Sequence, residues 1–296
     1  MKYDKPWLSI DEQAELLICD KGLKCSRSFL CDKLREVGYY RLSAYWFPYK
    51  TKDAYGNGVF FPGTEFAPIW RTYLLDRQLR FLMFQAIGRI EVFLRSQVAY
   101  FASKEKGLFG YPEQDLRRLA REYEQARKSE LFARHFDLTY GDSHSLPPYW
   151  TMVEVISMGT LESLYSHLPA SVRVEIAGIF GVRVPVFKSW LSVMRAARNA
   201  CCHHSRVWNR VWGVSPAIPK NWKSFAAPTN RTFAVLTILC YMLYVVDDGN
   251  VWNRQVEDLL ADFNDIPKEK MGFPDGWETM GIWGELPRHI LHKVIV

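Results

Sequence analysis

Residues 67–102 read APIWRTYLLDRQLRFLMFQAIGRIEVFLRSQVAYFA, and this stretch decides the fold class. Its apolar residues recur at steps of three or four, the spacing that places side chains on one face of an α-helix. The predicted core face consists of Leu75, Leu79, Leu82, Ala86, Ile90, Phe93 and Gln97. The charged residues that fall mostly on the other side are Arg77, Arg80, Glu91 and Arg95. The pattern therefore predicts one long helix with a core face and a polar face.

The sequence around this stretch is also mostly helical. Helices are predicted at about residues 10–19 and 26–37, and the mixed charges of residues 114–134 are typical of a solvated helix or a helical insertion. Residues 38–47 are dense in aromatic side chains, for which packing between helices is favoured over stacking on RNA bases. The Gly, Asn and Pro residues of 56–63 indicate a short β-hairpin. The expected fold class is therefore mainly α.

The chain is expected to have three parts. Residues 1–66 form an N-terminal helical and aromatic region, and residues 67–265 form a helical domain with a charged insertion at about 104–145. Residues 266–296, rich in Gly and Pro, form an irregular C-terminal tail.

The basic charge is unevenly spread. The formal net charge is +6, but residues 176–246 contain nine Lys or Arg and no Asp or Glu. Such a stretch has a locally positive field, which favours partners that carry phosphates.

Neither export nor a membrane span nor a metal is indicated. The N-terminus lacks the apolar run of a secretory signal, and the run at 233–246 is shorter than the roughly 18–20 residues that cross a bilayer. The six cysteines show no C-x-x-C spacing and are expected to be reduced. We therefore expect a cytoplasmic protein with no membrane span, no metal and no cofactor.

Residues 198–203 read RNACCH and carry the candidate chemistry. The guanidinium of Arg198 suits a phosphate, and the imidazole of His203 is the side-chain type that titrates near neutral pH, so the two suit RNA cleavage without a metal. The spacing alone is common, and a basic helix face held by solvent and carboxylates is the alternative. Asn199 lies between the two in sequence.

A helical wheel separates the two neighbouring histidines. If residues 189–211 form one helix, His204 falls on the apolar face and His203 on a polar face, so His203 is the candidate acid or base. The same polar face carries three arginines that we expect to bind RNA, namely Arg195, Arg206 and Arg210.

The chemistry also predicts a homodimer. When RNA is cleaved by its own 2′-hydroxyl, a base accepts that proton and an acid protonates the departing 5′ oxygen. One histidine cannot serve both ends of a concerted reaction. A symmetric dimer would supply the second, and dimers of this symmetry are the most common oligomers.

Six ordered motifs extend over most of the chain. They are KP at 5–6 with SIDEQ at 9–13, GYYRLSAY at 38–45, YLLDRQLR at 73–80, IEVFLRS at 90–96, EV at 154–155 with GTL at 159–161, and RN at 198–199 through NR at 209–210. Together they resemble the Abi-like family of bacterial abortive-infection proteins, of the AbiD/AbiF type. That family is similar to HEPN-domain proteins, helical domains that include metal-independent ribonucleases.

The resemblance implies a HEPN-like helical bundle with an N-terminal helical extension. It implies that Arg198 binds phosphate, that Asn199 is the polar residue after it, and that His203 is the acid or base. Glu91 and Arg95 stand at i and i+4, a spacing that by itself favours a helix-stabilising ion pair. The resemblance gives them a second role, as supporting residues of the site.

The expected function is a metal-independent endoribonuclease of a bacterial abortive-infection or phage-defence system, with arginine and histidine supplied by two subunits. The alternative is a non-catalytic or conditionally inactive RNA-binding protein that holds a small structured non-coding RNA. A third interpretation is a helical protein whose basic face binds an acidic partner. Phosphate binding weakens steeply with salt, which distinguishes the two RNA functions from the third.

Overall fold

The structure is a computed structural model, and it describes residues 6–222, 225, 227–247, 251–280 and 283. This part of the chain contains twelve α-helices and one two-stranded sheet, which confirms the mainly α fold. The α-helices are α1 (Ile10–Glu15), α2 (Arg27–Val37), α3 (Tyr39–Trp46), α4 (Phe66–Lys106), α5 (Glu113–Ala126), α6 (Leu131–Tyr140), α7 (Tyr149–Val155), α8 (Met158–His167), α9 (Ala170–Ile179), α10 (Val184–Cys202), α11 (Thr232–Val246) and α12 (Trp252–Asp262). Short π or 3-10 turns lie at Leu16–Asp20, Phe47–Tyr49, Lys268–Met271 and Trp277–Thr279.

The predicted hairpin is present. Strands β1 (Lys50–Lys52) and β2 (Gly58–Phe60) pair antiparallel, with Lys50 opposite Phe60. The turn between them is held by the Asp53 carboxylate, which accepts hydrogen bonds from the backbone N–H groups of Tyr55 and Asn57. This is the local side-chain bonding that makes Asp a frequent turn residue.

The described residues divide into two compact units. The first takes the residues through Leu79 together with Asp258–Pro267, and the second takes Arg80–Glu257 and the described residues from Lys268 onward. The three-part division expected from the sequence stays a prediction.

In the first unit the aromatic run of 38–47 is divided between core and surface. Tyr45 and Trp46 are buried, and the Tyr45 hydroxyl donates to the buried Asp76 carboxylate at 2.5 Å. Tyr40 and Phe47 are 92% and 74% exposed. Packing therefore accounts for only part of this run.

The core face of α4 is wider than the sequence predicts. Leu75, Leu79, Ala86 and Ile90 are buried as expected, and so are Met83, Ile87, Leu94 and Val98. The predicted members Leu82, Phe93 and Gln97 are only partly buried. Arg80, predicted on the solvated side, is 6% exposed. A helical wheel with a single narrow core face does not predict this burial, because α4 is 41 residues long and is buried over a broader part of its circumference.

The second unit contains the charged segment and the apolar helix α11. The charged segment forms α5 and α6, and α5 buries Leu119 and Tyr123, so it is packed as well as solvated. Eleven of the fifteen residues of α11 are buried, which confirms a core helix. Within the described ranges no single helix is long and apolar enough to cross a membrane, and α9 with α10 meets that test only as a pair bent by 71°.

Candidate functional site

Helix α10 carries the 198–203 motif and ends inside it. Its apolar face buries Trp190, Met194, Ala197 and Cys201, as the wheel predicts. The last helical residue is Cys202, so the prediction of one helix as far as residue 211 is wrong beyond this point.

The end of α10 is closed by a left-handed residue. His204 has φ 54°, its N–H donates to the Cys201 carbonyl at 3.0 Å, and the Ser205 N–H donates to the Ala200 carbonyl at 2.8 Å. These two bonds form a Schellman motif, which usually has glycine at the left-handed position. The left-handed conformation ends the helix because an L-residue cannot continue a right-handed helix through it.

This ending changes the position of both histidines. His203 stays attached to the last turn, since its N–H donates to the Asn199 carbonyl at 3.0 Å, and its side chain is exposed. His204 is exposed as well, so its predicted place on the apolar face is wrong. The reason is the backbone turn at His204, which no wheel includes.

The loop after the helix is fixed by long-range hydrogen bonds to the start of α11. The buried Thr232 hydroxyl donates to the Val207 carbonyl at 2.7 Å and lies 3.2 Å from the Trp212 indole nitrogen, which donates to it. Arg231 donates to the Asn209 side-chain oxygen at 3.0 Å, and Asn209 has φ 48°. Two non-glycine residues in the left-handed region therefore lie within six positions, in a loop held by the buried Thr232 and the partly buried Arg231.

The three arginines predicted to bind RNA lie in different surroundings. Arg195 forms an ion pair with Glu162 of α8. The guanidinium of Arg206 lies 6.0 Å from the centre of the Trp208 ring, and that of Arg210 lies 4.6 Å from the Trp212 ring. Arg206 and Arg210 are thus positioned by aromatic faces on the loop rather than by a helix.

Arg198 borders an open cavity of about 800 Å³. The residue is half-buried, and its Nε is buried without a hydrogen-bond partner among the described residues. Arg95 of α4, Arg121 of α5 and Phe132 of α6 line the same cavity. Three guanidinium groups from separate helices therefore face one polar space.

Glu91 and Arg95 form the ion pair that their spacing predicts. The two side chains are 13% and 12% exposed, and Arg95 also donates to the backbone carbonyl of Val153 at the end of α7. Arg95 thus links α4 to α7 and presents a surface to the cavity at the same time.

The structure brings together some of the predicted site residues. Arg198 and Arg95 share the cavity, whereas Asn199 and His203 are exposed and are not among its lining residues. Sequence reasoning missed the contribution of Arg121 and Phe132, whose only sequence signal is the charged, amphipathic pattern of 114–134 and its continuation. In the part of the chain described, no group of three or more His, Cys, Asp or Glu side chains is arranged to hold a metal ion.

Comparison with known proteins gives one match. The sequence model of a family described as Abi-like protein matches residues 32–209, which is more than half of the chain. No curated protein and no solved structure matches. The matched range begins in α2 and ends in the loop after α10, so it includes the cavity and the 198–203 motif.

Proposed function

This chain belongs to the Abi-like protein family, and from that premise we propose that it is a metal-independent endoribonuclease of bacterial phage defence. The family suggests a role in abortive infection. The proposal adds a HEPN-type ribonuclease centre built on Arg198, Asn199 and His203.

The observation that carries the proposal is the state of Arg198. Its Nε is buried and has no hydrogen-bond partner among the described residues, although a guanidinium has five N–H donors to satisfy. The group lines a polar cavity with two other arginines. The rest of the guanidinium has no hydrogen bond or ion pair with any described residue either, so a phosphate in the cavity would supply acceptor oxygens for its terminal nitrogens and would compensate the positive charge.

His203 would move the protons of the reaction. Attack of the RNA 2′-oxygen on phosphorus forms the new P–O bond, and the bond from phosphorus to the 5′ oxygen breaks. The base takes the 2′-hydroxyl proton, the acid gives one to the 5′ oxygen, and Arg198 stabilises the charge on the phosphoryl oxygens. Asn199, exposed one turn before His203, would donate its amide to the RNA in this proposal.

A second subunit completes the reaction in this proposal. One His203 serves one of the two proton transfers, and the same residue of a partner copy serves the other across a two-fold axis. The exposed position of His203 at the end of α10 leaves its ring accessible to such a copy. The basic, acid-free stretch 176–246 would add electrostatic attraction for the RNA backbone.

The experiment is a cleavage assay on RNA in EDTA. We expect His203→Ala to slow cleavage about 10²- to 10⁴-fold and Arg198→Ala about 10²- to 10³-fold. The matched control is His204→Asn rather than His204→Ala, because asparagine tolerates the left-handed backbone of that position. If the wild type never cleaves RNA, or His203→Ala cleaves as fast, the proposal fails.

One observation favours the alternative of a non-catalytic RNA-binding protein. His203 does not line the cavity that Arg198 faces, so within one chain the phosphate-binding arginine is available without the histidine. Such a protein would hold a small structured non-coding RNA. Sequencing of RNA that co-purifies with the protein separates the two functions: one enriched species with intact ends supports binding alone, and a spread of cut fragments supports the nuclease.

A further inference from the structure

The cavity beside Arg198 has a wall that the 198–203 motif does not supply. Helix α5 contributes Arg121 and Gln125 to it, and α6 contributes Phe132. These residues come from the charged segment that the sequence identifies as an insertion. The volume of about 800 Å³ falls within the range of about 300–1,000 Å³ found for small-molecule sites.

The charges around the cavity leave two guanidinium groups available. Arg95 is engaged by Glu91 and by the Val153 carbonyl. Arg121 is exposed, and neither Arg121 nor Arg198 has a hydrogen bond or ion pair with any described residue. Two cationic side chains on different helices, both lining one cavity, suit an anion that spans them.

Three carboxylates line the cavity, those of Glu122, Glu130 and Glu154, and the first of them is already occupied. The Glu122 carboxylate accepts hydrogen bonds from the Ser157 N–H at 2.7 Å and from the Thr160 hydroxyl, and so fixes the start of α8. It also lies 3.6 Å from the Arg118 guanidinium. Glu122 is therefore a structural part of the wall rather than a free charge that repels an anion, and Glu130 and Glu154 are exposed, so water and salt screen their charges.

The remaining lining residues suit a base. Phe132 is 44% exposed, so part of its ring is accessible to a base. Gln125 and Glu130 are exposed, and their oxygens can accept hydrogen bonds from the amino groups at the edge of a base. A cavity lined by cations, an aromatic ring and hydrogen-bond acceptors offers contacts for both the phosphate and the base of a nucleotide.

We infer that this cavity is a subsite for one unstacked nucleotide of single-stranded RNA, with Arg121 as a phosphate contact and Phe132 as the stacking platform. The inference rests on the proposed function, since it places this nucleotide next to the phosphate that Arg198 binds. It makes α5 and α6 a part of the RNA site that selects the nucleotide beside the cleaved bond.

The test measures binding of a fluorescent 2′-O-methyl RNA of about ten nucleotides to the full-length protein, because this RNA lacks the 2′-hydroxyl and cannot be cleaved. We expect Phe132→Ala to weaken binding about 5- to 100-fold with no change in salt dependence. We expect Arg121→Ala to weaken binding about fivefold at 0.1 M salt and to reduce the slope of log K against log salt by about 0.7.

The controls are the neighbours that do not line the cavity. Arg117→Ala removes an exposed arginine from the same helix, and Leu131→Ala removes a side chain that is 83% exposed beside Phe132. Both are expected to bind as the wild type does. If Arg121→Ala and Phe132→Ala also bind as the wild type does, the subsite is refuted.

Two further results separate this inference from the proposed function. In the first, RNA is cleaved in a His203-dependent manner, but Arg121→Ala and Phe132→Ala leave binding and the cleavage pattern unchanged. This result supports the proposed function and refutes the subsite. In the second, the two variants weaken binding but no RNA is ever cleaved, which supports the subsite and refutes the nuclease. Binding of a free mononucleotide as tight as that of the RNA would overturn the assignment to an RNA chain.

Discussion

Replacing Arg95 by methionine tests whether the Glu91–Arg95 pair holds the site together or acts on RNA directly. The side chain of Arg95 is only 12% exposed and that of Glu91 only 13%, and Arg95 also donates a hydrogen bond to the Val153 carbonyl of α7. Methionine keeps most of the apolar stem but removes the charge and the donors. The change therefore leaves a largely buried carboxylate and a carbonyl without their partner.

The expected cost follows from this burial. Breaking a fully buried ion pair costs about 3–5 kcal/mol, and the small remaining access to water lowers our expectation for Arg95→Met to about 2–4 kcal/mol of unfolding free energy. Glu91→Gln keeps an acceptor and is expected to cost about 1–2 kcal/mol. Because the two residues interact, the double variant should cost at least about 1 kcal/mol less than the sum of the single ones.

The assay is urea unfolding followed by circular dichroism, with the free energy taken from the midpoint and slope. Arg77→Met is the matched control, since Arg77 is an exposed arginine on the same helix, and it should change stability by no more than about 0.5 kcal/mol. The reasoning is refuted if Arg95→Met unfolds like the wild type or if the two single costs simply add. A stable Arg95→Met protein that has lost RNA cleavage would instead make Arg95 a direct contact to RNA.

Three further predictions follow from the loop, from the first unit and from the proposed chemistry. Thr232→Val should lower the free energy of unfolding by about 2–4 kcal/mol in the same assay, because the Val207 carbonyl and the Trp212 indole lose their buried hydrogen-bond partner. Thr232→Ser keeps the hydroxyl, and its free energy of unfolding should stay within about 1.5 kcal/mol of the wild type. The hydrogen bond from Arg71 lowers the pKa of Asp265, so this pair stabilises the folded chain above the unfolded pKa of the carboxyl and loses that effect as pH falls. Arg71→Gln should therefore be less stable than the wild type at pH 7, and the difference in unfolding free energy should shrink as pH falls toward about 2; a difference that does not change with pH would contradict the assignment. Sedimentation should give a mass of twice the 34.5 kDa of one chain, and a monomer that still cleaves RNA would refute the two-subunit site.

The parts of the fold that could be predicted from the sequence are those set by local sequence patterns. The periodicity of 67–102 indicates α4, and Gly56 to Gly63 indicate the hairpin, because both depend on residues close in sequence. The burial of Arg80 could not be predicted in this way. It depends on which elements cover α4, and that information is spread over the chain.

Local sequence patterns predict still less of the candidate site. The end of α10 was missed because CCHHSRVW contains neither glycine nor proline, the usual signals of a helix end. The loop that follows is set by Thr232 and Arg231, more than twenty residues away. The motif itself is visible in the sequence, whereas the cavity beside Arg198 exists only once α4, α5, α6 and α10 are packed.

The chemical nature of the RNA ends tests the central claim most directly. Attack by the 2′-oxygen leaves a 2′,3′-cyclic phosphate on one product and a 5′-hydroxyl on the other. We therefore expect the wild type in EDTA to give these ends, and Arg198→Ala and His203→Ala to give almost none. Products with 3′-hydroxyl and 5′-phosphate ends, or the same cyclic ends at an undiminished rate from both variants, would contradict the account.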